Sequence, residues 1–270
     1  MPRYLFTIIL TLGLAIVGCK PEKTESAAAA TNAADSPATQ ATAAPPSSPP
    51  PSLPPGAKAG PLDLSKIGPH DESYAHESLG PDGWASVALM YQAKGQFGEA
   101  LATLDQAIAR YPESAPLYAV RGALWLQLEE YAKALADLER SLDLAEDAGV
   151  RVNYAEALRR FDRKEDALAS LDRVLEENPD YLPALFNRGV LRFELGNEEG
   201  ALADFDRAIA IDPDAAAPYF NRAAVRWALG QKDAALADLD AFIERTPVDE
   251  WKETARELRD SWQEQLEAGR

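Results

Sequence analysis

Three asparagines at equal spacing are the side chains of this chain best suited to recognising another molecule. Asn153, Asn187 and Asn221 stand 34 residues apart. A carboxamide donates a hydrogen bond to a carbonyl and accepts one from an N–H, so it can bind the backbone of an extended peptide. If the spacing reflects stacked structural units, the three amides form a column along one face. We therefore expect a peptide-binding surface there.

Two aromatic pairs accompany the second and third asparagines. The members of each pair are seven residues apart, so on a helix they share one face and could anchor the side chains of a partner. The alternative is that they pack between neighbouring helices, since large apolar side chains are usually core. The pairs are Phe186 with Phe193 and Phe220 with Trp227.

Basic side chains on the same face could hold the terminal carboxylate of a partner. Arg159 and Arg160 are the nearest candidates, although the lysine and asparagine pattern of a carboxylate clamp is absent. We include both arginines among the expected partner-binding residues and do not predict a clamp.

No catalytic group of side chains is present in the periodic part of the chain. The only cysteine is Cys19, and the two histidines, His70 and His76, precede the repeats. Carboxylates surround these histidines, but their spacing fits no familiar metal site, so we interpret residues 62–80 as a strap or an unstructured lead-in. The net charge of −17 argues against nucleic acid as a partner. We expect no enzyme activity, no cofactor and no metal site.

A block of Ala-Leu-Ala recurs through the chain and reveals the units that must position these side chains. Its steps are 34, 33, 34 and 34 residues, which indicates five consecutive units. Self-similarity at such a period is typical of units that cannot bury their apolar faces alone and therefore stack. The block begins at Ala100, Ala134, Ala167, Ala201 and Ala235.

The residues of the first unit identify the kind of repeat. Counted from Pro81, positions 4, 8, 11, 15, 20, 24, 27 and 32 hold Trp84, Ala88, Tyr91, Gly95, Ala100, Leu104, Ala107 and Pro112. This pattern resembles the tetratricopeptide repeat, a helix-turn-helix unit that stacks into a right-handed superhelix. The resemblance implies an all-α fold whose inner face binds peptides, and similar asparagine ladders line the grooves of other such proteins. The expected units are 81–114, 115–147, 148–181, 182–215 and 216–249, followed by a capping helix over 250–268.

The amphipathic pattern supports this interpretation independently. Leu101, Leu104 and Ile108 form one apolar stripe with the period of a helix, and the other units repeat it. Glycines at position 15 of three units supply the turn between the two helices. The third unit departs from the pattern, because it is one residue short at Asp147 and lacks a closing proline there.

Charged residues at two repeat positions vary together. Units two, four and five have arginine at position 7 and aspartate at position 23, whereas units one and three have neither. The two positions should lie close together in an antiparallel helix pair, so we predict structural ion pairs within these units. The predicted pairs are Arg121 with Asp137, Arg188 with Asp204, and Arg222 with Asp238.

The first 70 residues predict an export signal and a tether. Residues 1–18 combine Arg3, an apolar run over 4–17 and Gly18, and the run is too short for a comfortable membrane span. Residues 16–19, Ile-Val-Gly-Cys, resemble the lipobox of bacterial lipoproteins, which implies diacylglyceryl attachment at Cys19. The alternative is an ordinary signal peptide with an incidental cysteine.

The segment after this cysteine sets the expected location. Residues 19–70 are rich in Ala, Pro, Ser and Thr and predict a disordered tether, with docking of its prolines to an aromatic groove as the alternative. Lys20 follows the cysteine, and by the sorting rule of lipoproteins this favours the outer membrane, facing the periplasm.

These features together predict a lipid-anchored scaffold of the bacterial cell envelope. Residues 71–270 would form the tetratricopeptide domain and bind a peptide or protein partner, in envelope assembly or regulation. The partner's identity is open. The alternative is a structural module that forms a homodimer.

Overall fold

The computed structural model describes residues 79–268, in which eleven α-helices and no strand occur. The all-α fold class is therefore confirmed. Predictions for the signal peptide, Cys19, the tether, His70 and His76 fall outside the described residues. No helix among those described has the length and apolar character needed to cross a membrane.

Five of the helices are the first helices of the units and five are the second. The first helices are α1 (Pro81–Ala93), α3 (Ala115–Gln127), α5 (Ala148–Arg160), α7 (Leu182–Glu194) and α9 (Ala216–Ala228). The second helices are α2 (Phe97–Arg110), α4 (Tyr131–Leu144), α6 (Lys164–Glu177), α8 (Glu198–Ile211) and α10 (Lys232–Arg245). The chain then continues into α11 (Asp249–Ala268).

The helices pack in two layers. Each first helix contacts the second helix of its own unit and the first helix of the next, and each second helix contacts the following first helix. The first helices therefore form one continuous face. The alanine at position 20 of every unit is fully buried, because the helices approach most closely there and leave no room for a larger side chain.

The turns between first and second helices all use one residue in the left-handed backbone conformation. Gly95, Gly196 and Gly230 have φ between 72° and 77°, as the sequence predicts. Units two and three place Glu129 and Asp162 there, with φ of 61° and 62°. These two side chains accept a strain of about 1–2 kcal/mol each, so the turn is imposed by the packing of the helices around it.

The short junction before unit three replaces the closing proline with a helix cap. The Asp147 carboxylate accepts a hydrogen bond from the Val150 N–H at 2.8 Å. This contact satisfies one of the free N–H groups at the start of α5. Although the repeat is one residue shorter at this junction, the first helix of unit three still starts at position 1.

The predicted ion pairs within units two, four and five are confirmed. In each, the arginine Nε and Nη2 atoms donate to the two carboxylate oxygens of the aspartate, at distances between 2.6 and 3.0 Å. Hydrogen bonds from Arg192 and Arg226 to Asp204 and Asp238, both at 2.8 Å, reinforce two of the pairs.

Each of the three arginines also binds an aspartate of the preceding unit, which the sequence analysis missed. The Nη1 atoms donate to Asp105, Asp172 and Asp206 at 2.6 to 2.7 Å. These aspartates all occupy position 25 of their units, 16 residues before the arginine of the next unit. This regular spacing in the sequence could have predicted the contacts. The hydrogen bond with Asp137 holds the pKa of Arg121 above its ordinary value, with Asp105 contributing further. The arginines therefore join neighbouring units as well as the two helices of one unit.

The last helix closes the array at its C-terminal end. Ala255 and Trp262 of α11 are buried against unit five, and Trp251 and Leu258 are half-buried beside them. Arg259 donates to Asp240 at 3.0 Å, so position 25 of unit five is also bound. The helix thus covers the face that a sixth unit would otherwise cover.

Candidate partner-binding face

The asparagine column lies on the continuous face of first helices but is only partly accessible. Asn153 and Asn187 are half-buried, whereas Asn221 is 3% exposed. Nδ2 of Asn187 donates to the Pro183 carbonyl at 2.7 Å, and Nδ2 of Asn221 donates to the Ala217 carbonyl at 3.0 Å. Asn221 is therefore a core amide, which corrects its expected role in binding. Two members of the column remain available.

Phe186 and Phe220 are core residues, so their expected role as anchors is wrong. Their ring centroids lie 6.0 Å from Phe205 and 5.1 Å from Phe242, both on the second helices of the same units. Position 5 of these units faces the second helix rather than solvent. Burying aromatic rings there stabilises the stack, and neither ring is free to receive a partner.

Trp227 is held between two neighbours. Its ring stacks on Trp262 of α11 with centroids 4.2 Å apart and planes inclined by 11°. The ammonium group of Lys232 lies 3.6 Å from the Trp227 ring centroid and donates to its carbonyl at 2.9 Å. The capping helix therefore takes the place that a partner's side chain was expected to occupy.

Phe193 is the expected anchor that stays partly accessible. It is half-buried and packs against the apolar clusters of both unit four and unit five. Of the four aromatic side chains, it alone is partly exposed and lies on the same helix as an accessible asparagine.

Arg159 is fully paired with carboxylates of the protein itself. Its guanidinium binds Glu156 at 2.8 Å and also Glu194, and Lys164 approaches Glu194 at 3.2 Å. Burial opposes the charged form of Arg159, but the two glutamates outweigh it and keep the pKa of Arg159 above its ordinary value. Its expected role in partner binding is thus replaced by a structural one between units three and four.

Arg160 is held more loosely. Its guanidinium lies 3.9 Å from carboxylate oxygens of both Glu129 and Glu156 and 5.4 Å from the Tyr131 ring centroid. These distances exceed those of hydrogen bonds, so a partner's carboxylate can compete for this group. Arg160 remains a candidate contact.

A second accessible feature, which the sequence analysis missed, lies at the turn edge. We use this name for the apolar residues at position 14 of units two to five: Leu128, Phe161, Leu195 and Leu229. Each stands immediately before the left-handed turn residue. The recurrence of large apolar residues at one repeat position could have predicted this feature from the sequence.

Comparison with known proteins agrees with this geometry. A model of the tetratricopeptide repeat family matches residues 88–149 and 154–216. These segments consist of tetratricopeptide repeats. The matched segments cover units one to four, and the tetratricopeptide geometry continues through unit five. No curated protein sequence matches the chain.

Solved tetratricopeptide structures share the fold at low sequence identity. PilW, described as a type IV pilus biogenesis factor, is 20% identical, with TM-score 0.60, covering 70% of this chain and 92% of PilW. YrrB, described as having an unusual peptide-binding site, is 22% identical, with TM-score 0.51 and coverage of 69% and 95%. TTC0263, a protein of Thermus thermophilus, is 22% identical, with TM-score 0.57 and coverage of 68% and 98%. At these identities the likeness establishes the fold alone.

Proposed function

We propose that this tetratricopeptide protein is a lipid-anchored scaffold whose first-helix face binds an extended segment of a partner protein. The observation that carries the proposal is the register of Asn153 and Asn187, which occupy one position on adjacent first helices and are both partly exposed. YrrB is described as having a peptide-binding site and PilW as a pilus biogenesis factor, and we extend peptide binding and a role in envelope assembly or regulation to this chain by analogy with them.

The accessible binding site is smaller than the asparagine column and centres on units three and four. Asn187 uses one N–H for the Pro183 carbonyl. Its second N–H and its carbonyl oxygen suit one peptide unit of an extended chain. Phe193 offers an apolar contact on the same helix, and Arg160 offers a cation for a partner carboxylate. A segment with an apolar residue followed by an acidic group fits this arrangement.

Removing both accessible amides should weaken peptide binding. Peptides selected from a random 12-residue library on the full chain should bind the Asn153→Ala/Asn187→Ala variant at least tenfold less tightly. Each lost hydrogen bond is worth about 1 kcal/mol, so two give about 2 kcal/mol, or about 30-fold in affinity. Fluorescence anisotropy measures the affinities.

The control for this variant is Gln263→Ala, which removes an exposed amide from α11. It should bind the peptides like the wild type. Unchanged affinity in the asparagine variant overturns the proposed site. A dimer mass for the wild type in sedimentation, together with unchanged peptide affinity, favours the homodimer instead.

The proposed anchor at Cys19 gives a sharp prediction. Cys19→Ser removes the thiol needed for the thioether, so the chain should incorporate no labelled palmitate and leave the membrane fraction. More than one acyl chain is needed for stable anchoring, at about 0.8 kcal/mol per buried methylene. Labelling and membrane fractionation in bacterial cells measure both effects.

The matched control is Lys20→Asp. It should keep the label while moving the chain from the outer to the inner membrane fraction. Retention of Cys19→Ser in the membrane contradicts the anchor.

A further inference from the structure

The turn edge exposes large apolar side chains in a regular row. Phe161, Leu195 and Leu229 are 51%, 39% and 41% exposed, although their type would ordinarily be buried. Leu128 extends the row into unit two and is half-buried. In unit one the position holds Lys94, so the row ends there.

Acidic side chains border this row. Asp162 follows Phe161, Glu198 and Glu199 follow Leu195, and Asp233 follows Leu229 within the next few residues. Among residues 79–268, none of these four carboxylates forms an ion pair.

The cations that follow the row are occupied by contacts within the chain. Arg163 pairs with Asp166 at 2.7 Å, Lys164 with Glu194 at 3.2 Å, and Lys232 lies on the Trp227 ring. The row therefore presents apolar side chains with an acidic border, which complements a basic partner surface.

The spacing of the row fits one face of a helix. Packed helices lie about 8–10 Å apart, so equivalent residues on neighbouring first helices repeat at roughly that distance. An α-helix advances about 10.5 Å in seven residues, whereas one face of a strand repeats at about 7 Å. A helix lying across the units thus meets successive turn-edge residues with apolar side chains seven residues apart.

We propose that the turn edge docks a basic amphipathic helix of a partner protein. The partner carries a row of apolar residues at seven-residue spacing with lysines or arginines on the side that faces these carboxylates. A second copy of this chain is disfavoured as the occupant, because each copy has a net charge of −17 and the two repel. The turn edge shares no residue with the proposed peptide site, so the proposal does not depend on peptide binding there.

The test uses a designed peptide and the full chain. A 22-residue helical peptide with leucines at every seventh position, lysines beside them and alanines elsewhere is titrated by fluorescence anisotropy. We expect binding that weakens as salt rises. Phe161→Ser/Leu195→Ser/Leu229→Ser should weaken it at least tenfold, and so should Glu198→Lys/Glu199→Lys/Asp233→Lys. Circular dichroism verifies that these surface variants fold.

A matched control variant tests whether the peptide binds the turn edge specifically or any exposed apolar surface. Leu89→Ser/Ile211→Ser/Val248→Ser removes three side chains with similar exposure, 37% to 48%, away from the edge. It should bind the peptide like the wild type, as should Asn153→Ala/Asn187→Ala. Four outcomes overturn the proposal. Two concern the variants: the control loses as much affinity as the turn-edge variant, or the turn-edge variant binds like the wild type. The other two concern the wild type: it binds a peptide with glutamates in place of lysines equally well, or it does not bind the lysine peptide.

Discussion

Asp204→Ala should lower the free energy of unfolding by about 3 kcal/mol, because it leaves two arginines without their carboxylate. The Asp204 side chain is 3% exposed and binds both Arg188 and Arg192. Arg188 keeps its contact with Asp172, which is solvent-exposed and compensates only in part. Urea denaturation followed by tryptophan fluorescence and far-ultraviolet circular dichroism measures the change.

Two variants make this expectation specific. Asp180→Ala breaks an ion pair with Arg207 in which both side chains are 54% exposed, and it should cost less than about 1 kcal/mol. Arg121→Val/Asp137→Thr copies the pair that unit one carries at the same positions, Val87 and Thr103. It should be more stable than Asp137→Ala alone. A small effect of Asp204→Ala, similar to that of Asp180→Ala, contradicts the structural role of the buried pair.

Phe205→Ala should cost about 4 kcal/mol, since it removes a fully buried ring and leaves a cavity between the helices of unit four. The ring lies against Phe186 and against the backbone of Gly189. The same denaturation experiment measures the loss. Phe161→Ala, which truncates an exposed phenylalanine, should change stability by less than about 0.5 kcal/mol.

The fit between Gly189 and Phe205 can be tested by exchanging both. A Cβ at residue 189 would lie 2.7 Å from Cε1 of Phe205, so Gly189→Ala alone should destabilise the protein. In units one, three and five the same two positions hold alanine and leucine, for example Ala88 with Leu104. Gly189→Ala/Phe205→Leu should therefore be less destabilised than the sum of its single changes. Additive losses would show that the two residues do not share one packing site.

The fold was predictable because a repeat constrains each position several times. Alanine at position 20 recurs five times, and every copy is fully buried between helices. Covarying pairs such as Arg188 and Asp204 predicted which faces of the two helices within a unit contact each other, because a buried charge needs an oppositely charged partner. Residue types at repeated positions were thus sufficient to predict the helices and the ion pairs inside a unit.

The candidate site was less predictable, since exposure depends on how units lie against one another. Phe220 and Asn221 carry the residue types of a binding groove, but the packing of unit five buries both. Trp227 is covered by Trp262, a residue outside the repeats. The charge on Arg159 gave no indication that Glu194 of the next unit would neutralise it. The contacts of Trp227 and Arg159 reach beyond their own unit, so spacing within one unit does not report them.

The arginines at position 7 bind the preceding unit at three of the four junctions between units. They connect units one and two, three and four, and four and five, and Arg259 connects unit five to α11. Unit three has Tyr154 at that position, and the junction before it carries partly exposed pairs of Glu146 with Arg151 and Arg173 and of Glu129 with Arg160 instead. Cooperativity in a stack depends on the interfaces between units. The junction between units two and three therefore rests on apolar packing, in which Ala134 and Leu138 of α4 are buried together with Ala157 of α5.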